Sequence, residues 1–419
     1  MRVITTAQVI AIGTELLTPY RTDTNSLYLT ARLNELGIDV TAKTIVGDDI
    51  RDLETAVARA LQQSDLVVTT GGLGPTADDL TREAVSSVLG RLLAEDPEIV
   101  MQLRERFAKR GTPMPEINRR QAMVPAGAIV LPNPRGSAPG LLIAHDDKLV
   151  LLLPGPPREL EPMFESSVKE PLAARTAGRR LRRRVIKMAG QPESKVDQIA
   201  APIYQPWTSQ PVPLSTTILA SPGQVELHIS ARGDDVGALD TELERAVAQL
   251  VPALGDSVFS IDGRTIEVVV GDRLLQRGLT IALAESCTGG MVAARLTDVP
   301  GSSAYVVGGV VAYSNAVKEQ MLAVAPDLLV AHGAVSEPVA AAMAIGVRRA
   351  LNADIGVAIT GIAGPDGGTP EKPVGTVCFS VVGPGDAQVT TTRVVPGDRQ
   401  LVRQWAVMVA LDLVRRAVR

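Results

Sequence analysis

The chain has 419 residues, 45% of them apolar and 21% charged, with a net charge of −4. That length exceeds what one hydrophobic core serves, so two or three domains are expected, and the acidic balance argues against a general affinity for nucleic acid, which needs clustered Lys and Arg to neutralise phosphate. Two distant cysteines, Cys287 and Cys378, with three scattered histidines argue against a disulfide framework, a thiolate metal site or a zinc enzyme.

The opening MRVITTAQVIAIGTELL lacks the signal-peptide pattern of a charged end, an apolar stretch and a small-residue cleavage site in succession, so the cytoplasm is the expected location. Apolar runs at 149–153 and 305–312 fall short of the about 20 residues that span a bilayer. Residues 7–12 read as a buried strand, and Asp23 or Thr24 caps a helix that Gly37 ends. A helix over roughly 50–63 then leads into the strand DLVVTT at 65–70. Strands alternating with helices at this spacing predict a mainly parallel sheet covered on both faces, with ligands at the carboxyl ends of its strands. The Pro- and Gly-dense stretches 132–140 and 154–157 are loops flanking another buried strand, LVLLL. Near residue 173 the texture turns basic, and an α+β module follows. From about 262 the βα rhythm returns.

GGLGPTADD, residues 71–79, follows a strand and precedes a helix. Glycines there admit a ligand close to the backbone, and the helix start favours an anion such as phosphate. Asp78 and Asp79 would repel a phosphate unless a divalent cation, Mg²⁺ by its chemistry, lay between them. The alternative is that both simply complement the helix dipole. Loops at 13–15, 23–25, 133–140 and 154–157 border strands and can converge on the same sheet edge.

Taken in order, GTELL, DTN, GGLGPTADD, NRRQA, NPRGSAPG and LPGPPREL closely resemble the N-terminal domain of the CinA family, which is related to the molybdopterin-binding domains of molybdenum cofactor biosynthesis. The resemblance spans nearly all of residues 7–165. It implies a three-layer α/β/α domain over 1–172 and metal-dependent cleavage of ADP-ribose to AMP and ribose 5-phosphate. Carried over by motif, it implies substrate contact by Glu15, Asp23, Asn25, Gly72 and Asn118, and a divalent metal at Asp78 and Asp79. Residues 173–260 resemble the family's linking domain, a small α+β module similar to an RNA-binding KH module. Where a backbone-clamping GXXG loop is sought, the chain offers Gly190-Gln191-Pro192-Glu193, without the second glycine, so RNA binding is not expected. The arginines at 179, 180 and 182–184 read as a solvated strand entry or an interface.

LTIALAESCTGG, residues 279–290, is the most informative segment. A strand ends near Ala284, and Ser286, Cys287 and Thr288 occupy a turn whose glycines open a helix. Such a turn exposes a hydroxyl beside N–H groups that can hold an oxyanion. A serine needs a base, and no histidine is suitably placed. GGVVAYSNAVKEQ puts Tyr313 and Lys318 just after another apolar strand, and a buried lysine can lose its proton near neutrality. Cys287 lacks an activating histidine and reads as packing. Singly, each residue also fits a plain part: helix caps for Ser286 and Thr288, a core aromatic for Tyr313, a solvated surface group for Lys318.

AESCTGG, GGVVAYSNAVK, HGAVSE, AITGIAGPDGG and KPVGTV match the C-terminal domain of the CinA family, which is similar to stand-alone nicotinamide mononucleotide deamidases. The resemblance implies an α/β deamidase domain over 261–419, with Ser286 as nucleophile, Lys318 as proton acceptor and Tyr313 positioning or relaying the proton. It implies substrate contact by Cys287, Thr288, Gly289, Gly290, Thr360 and Gly361, and a phosphate contact at Arg399, with Arg403 one turn on. No cofactor is implied for this domain. Nicotinamide mononucleotide and ADP-ribose are the expected partners, with no nucleic acid or membrane, and a homodimer is expected by resemblance only. Two rival classes stay open: a non-catalytic molybdopterin or nucleotide carrier, and a competence-related nucleic-acid factor. A carrier has no use for a neutral lysine beside a serine, and the acidic balance disfavours the second.

Overall fold

β-branched, apolar runs alternate with amphipathic helices from the start of the chain. The computed structural model describes residues 3–418. The first stretch forms β1 (Thr6–Ile12), α1 (Asn25–Glu35), β2 (Asp39–Val46), α2 (Ile50–Gln63), β3 (Leu66–Thr70), α3 (Thr81–Leu89), β4 (Leu93–Glu95), α4 (Pro97–Ala108), β5 (Met123–Pro125), β6 (Ile129–Leu131), β7 (Gly140–His145), β8 (Lys148–Leu153), α5 (Pro157–Met163) and α6 (Lys169–Ala173). The middle stretch forms β9 (Arg180–Ala189), α7 (Glu193–Tyr204), β10 (Leu214–Ser221), β11 (Gln224–Gly233), α8 (Val236–Leu254) and β12 (Val258–Ser260). The last forms α9 (Ile266–Arg277), β13 (Ile281–Glu285), α10 (Met291–Thr297), β14 (Val306–Val311), α11 (Asn315–Leu322), α12 (Pro326–His332), α13 (Glu337–Ala350), β15 (Ile355–Gly361), β16 (Thr376–Val382), β17 (Gln388–Val394) and α14 (Arg399–Ala417).

These elements pack into two units. One takes the chain up to Arg182 with Ala231–Asp240, and the other takes Arg183–Ser230 with Thr241 onward. In the first, a six-stranded sheet runs β2-β1-β3-β8-β7-β6. Strands β1, β2, β3 and β8 are parallel, and β7 and β6 are antiparallel additions. Because side chains alternate along a strand, Val9, Leu66 and Val68 join one core with Leu29 and Leu33 of α1. Ile10, Ile12 and Val67 join another with Leu53 and Val57 of α2 and Val85 of α3. This is the three-layer α/β/α arrangement. Since β1 lies between β2 and β3, the chain reverses its direction across the sheet there, which opens a crevice at the strand ends.

In the second unit the sheet order is β14-β13-β15-β16-β17. β13 is parallel to both its neighbours, and β16 and β17 close the sheet antiparallel. Ile281 and Leu283 of β13 pack toward α9 and α14, whereas Ala282 and Ala284 pack toward α11 and α13. The sheet β10-β11-β9-β12 contributes Ala189 and Phe259 to the α9–α14 core. Among the described residues, no helix is long and apolar enough to cross a membrane.

Candidate functional site

In the first unit, the loops after β1, β3 and β8 line one cleft of about 340 Å³, with Gly13, Glu15, Asp48, Gly71 to Gly74, Asp78, Gln121, Ser137 and Glu159 in its wall. Gly72 holds a left-handed φ of +65°, and a Cβ there would lie 2.1 Å from Thr81 Oγ1. That hydroxyl donates to the Gly71 carbonyl at 2.9 Å, so only glycine fits the loop as folded.

Of the residues singled out from sequence, Glu15 and Asp78 reach this cleft as exposed carboxylates. Asn25 stands behind its loops, with Nδ2 donating to Thr70 Oγ1 and to the Gly155 carbonyl, each at 2.7 Å. Asp23 accepts the Ser26 N–H at 3.0 Å, a helix-entry contact. Asn118 is buried and donates to Gln121 Oε1 at 3.0 Å, and Gln121 donates to Ser137 Oγ at 3.1 Å. The residues of that chain that reach the cleft are therefore Gln121 and Ser137, which sequence reasoning passed over although both lie inside quoted motifs. Arg120 was passed over too; it bonds the Thr76 and Asp79 carbonyls and pairs with Glu83 at 2.9 Å.

The two acidic neighbours differ. Asp79 turns back into its own loop, accepting Gly74 N–H at 2.7 Å, Thr76 N–H at 2.8 Å and the Thr76 hydroxyl at 2.5 Å. Among the described residues, no three His, Cys, Asp or Glu side chains stand together as an all-protein metal cage. Magnesium commonly keeps waters and takes one or two carboxylates with substrate phosphate. Asp78 suits that role as a single ligand. Asp79 lines the same cleft with both oxygens already engaged by its own loop.

In the second unit, Ser286 and Lys318 meet. β13 delivers Ser286 at its end, and the parallel neighbour β14 delivers the turn before α11, which Ser314 caps by accepting Val317 N–H at 3.3 Å. Side chains in a helix lean toward its N-terminus, so Lys318 reaches back over the turn. Its Nζ is 3.2 Å from Ser286 Oγ, 2.7 Å from the Ala312 carbonyl and 3.4 Å from the Tyr313 carbonyl. Lys318 is 1% exposed and Ser286 8%. Burial holds the lysine pKa below its ordinary value, and the nearby Cys287 opposes that shift. Three acceptors surround the amine; once it is neutral, two N–H donors can serve the two carbonyls and the lone pair faces the Ser286 hydroxyl.

The turn itself corrects one expectation. The N–H groups of the turn are expected to hold an oxyanion, but that of Gly290 donates to Glu285 Oε2 at 3.0 Å. Gly289 N–H donates to the Ser286 carbonyl, and Ser286 N–H donates to the Ile359 carbonyl. The donors left to the turn are the N–H groups of Cys287 and Thr288, and the Thr288 hydroxyl is fully buried without a hydrogen-bond partner. The Cys287 thiol is buried and pushed up to about 12, which keeps it protonated and inert. Gly361 packs on it: a Cβ there would lie 3.1 Å from Cys287 Sγ and 2.9 Å from the Thr376 carbonyl. Thr360 is 1% exposed and donates to the Ala334 carbonyl at 2.8 Å, a loop-bracing contact.

Tyr313 is 62% exposed rather than a core aromatic. Its phenol accepts from Arg399 Nη2 at 2.9 Å, and it touches the Ser286–Lys318 pair through its backbone carbonyl, so a proton relay through the phenol has no hydrogen-bonded path here. Arg399 is exposed at the start of α14 and also donates to the Gly364 carbonyl at 2.8 Å. Arg403 faces the nucleophile turn instead of solvent, donating to the Cys287 carbonyl at 3.1 Å and the Thr288 carbonyl at 3.0 Å. On the same helix, Leu401 and Trp405 share a cavity with the Gly190–Glu193 loop and the β10–β11 turn.

Comparison with known proteins agrees with this architecture. Residues 263–418 match the family model "CinA C-terminal domain", and residues 8–174 match "Probable molybdopterin binding domain". The chain is similar to the CinA-like protein of Koribacter versatilis (strain Ellin345), with 46% identity across 98% of this chain and 99% of that one. It is also similar to the CinA-like protein of Solibacter usitatus (strain Ellin6076), with 43% identity across 98% of each. A crystal structure of the protein CinA from Thermoplasma acidophilum is 33% identical and covers 40% of this chain and 98% of its own, with a TM-score of 0.38. The chain belongs to the CinA family.

Proposed function

We propose that the second unit hydrolyses the carboxamide of nicotinamide mononucleotide to nicotinate mononucleotide and ammonia. The observation that carries this reading is the buried Ser286–Lys318 pair at 3.2 Å, with the remaining hydrogen-bonding capacity of the amine turned to two carbonyls. Neutral Lys318 takes the Ser286 proton as Oγ bonds to the carboxamide carbon. The N–H groups of Cys287 and Thr288 hold the oxyanion, and Lys318 returns its proton to the departing nitrogen as the C–N bond breaks and ammonia leaves. Water then adds to the ester, giving its proton to Lys318, and the carboxylate departs as Ser286 recovers its hydrogen. The choice of substrate rests on the family resemblance, and Arg399 supplies a cation where the nucleotide phosphate would bind.

Incubating the protein with nicotinamide mononucleotide is expected to yield equimolar nicotinate mononucleotide and ammonia by mass spectrometry and ammonia assay, undiminished by a chelator. Recovery of unchanged substrate would overturn the reading. Arg399→Ala is expected to raise KM about tenfold with little change in kcat, since it removes a charge-assisted contact made equally in ground and transition states. Steady-state kinetics check that split.

For the first unit we infer a nucleotide diphosphate site that cleaves ADP-ribose to AMP and ribose 5-phosphate, with Asp78 as the cation's protein ligand. The converging glycine loops and the carboxylates of Glu15, Asp48 and Asp78 in the cleft wall support this. The cation, when bound, would neutralise phosphate charge, while the loops orient the diphosphate. The two activities would act in the cytoplasm, in a homodimer, on pyridine nucleotides and their breakdown products.

A further inference from the structure

Glu285 ends β13 immediately before the nucleophile and is 1% exposed. A buried carboxylate is costly unless its hydrogen bonds are satisfied. Here it accepts three backbone N–H groups: Gly290 at 3.0 Å and Val292 at 3.2 Å on Oε2, and Ala293 at 2.9 Å on Oε1. These amides form the start of α10, where a negative charge is favoured by the helix dipole. The backbone of the same residue faces the base: its carbonyl accepts Ala312 N–H at 2.8 Å, and the Ala312 carbonyl accepts from Lys318 Nζ at 2.7 Å. One residue thus ties the helix behind Ser286 to the turn that holds Lys318.

We infer that Glu285 is a positioning residue for the hydrolysis, fixing Ser286 Oγ against Lys318 Nζ and confining the oxyanion donors to Cys287 and Thr288; this rests on the Ser286–Lys318 reading above. α10 has only seven residues, too short to be stable alone, so its link to the strand end sets where the turn between them lies. A serine or threonine cap would satisfy one N–H, whereas the carboxylate holds three. Without it the turn would gain freedom, and the amides of Gly290, Val292 and Ala293 would compete for the substrate carbonyl in an unproductive place. Misplacing reacting atoms by about 1 Å costs on the order of 100-fold in rate.

The test uses the full chain and nicotinamide mononucleotide, with Glu285→Gln, Glu285→Asp and Ser286→Ala beside the wild type. Rates are expressed per folded molecule, the folded fraction being taken from circular dichroism melts. Glu285→Gln is expected to lower kcat about 100-fold with KM little changed, and Glu285→Asp, which keeps the charge on a shorter arm, to recover part of the loss. Wild-type kcat in Glu285→Gln, or a loss matched by its unfolded fraction, overturns the positioning role. If Glu285→Gln does not fold, Glu285→Asp decides by the same measure, wild-type kcat again overturning it. Undiminished ammonia release by Ser286→Ala would instead overturn the nucleophile reading and leave the positioning role without an object.

Discussion

Ser286→Ala is expected to reduce ammonia release from nicotinamide mononucleotide on the order of 10⁴-fold or more, without loss of folded protein and without effect on ADP-ribose cleavage by the other unit. The backbone explains why the fold tolerates the change: Ser286 N–H still donates to the Ile359 carbonyl, and Lys318 keeps both of its carbonyl partners. Cys287 cannot stand in as nucleophile, because burial pushes its thiol up to about 12. Parallel assays of ammonia and of AMP on the same preparation check both halves. Joint loss of the two activities in folded protein would count against separate sites, and retained ammonia release would remove Ser286 from the mechanism.

What could be read in advance follows from which features have a one-dimensional signature. The parallel strands were legible because buried runs such as AQVIAI and DLVVTT are mainly apolar and β-branched, and the loops after them carry glycine and proline at the positions where backbones converge. Ser286 and Lys318 were legible as a pair because each follows a strand in a familiar motif, and neighbouring parallel strands bring their following turns to the same edge. The direction of a side chain within such a turn has no comparable signature. Asp78 and Asp79 are equivalent as letters, yet Asp79 takes the Gly74 and Thr76 N–H groups of the loop while Asp78 stays exposed at the cleft.

Arg399 and Arg403 show the same limit on a helix. Their spacing puts them on one face, and the resemblance implies a phosphate contact at Arg399, with Arg403 the weaker choice. In the structure Arg399 goes to Tyr313 and Gly364, whereas Arg403 is spent on the carbonyls of Cys287 and Thr288. Glu285 was overlooked because a single acid at the end of a strand carries no periodic signal, and its three acceptor contacts arise only when the chain folds back as α10. The middle stretch was separable by composition, but its Ala189 and Phe259 complete the core of the second unit, a contact that depends on tertiary packing.

Lys318→Met is expected to lower kcat/KM by about 100- to 10,000-fold, the span over which positioned general bases act, and to abolish the dependence of rate on lysine ionisation. In the wild type, activity should rise with pH as the ammonium loses its proton and level off once the amine is neutral. The limb lies below the ordinary lysine range because burial disfavours the charged form. Stability should follow with a definite sign. Below the folded pKa both states carry the proton, and the folded state bears the full cost of a buried charge. Between the folded pKa and the unfolded value of about 10.4, only the unfolded chain keeps the proton, so that cost is progressively relieved as pH rises. Relative to Lys318→Met, the wild type should therefore gain stability with increasing pH across that window. Chemical denaturation of both proteins over a pH series measures the difference. A wild-type stability that falls relative to the variant over the same range would mean that Lys318 gains a stabilised charge on folding, and an amine held in that state cannot take the proton of Ser286.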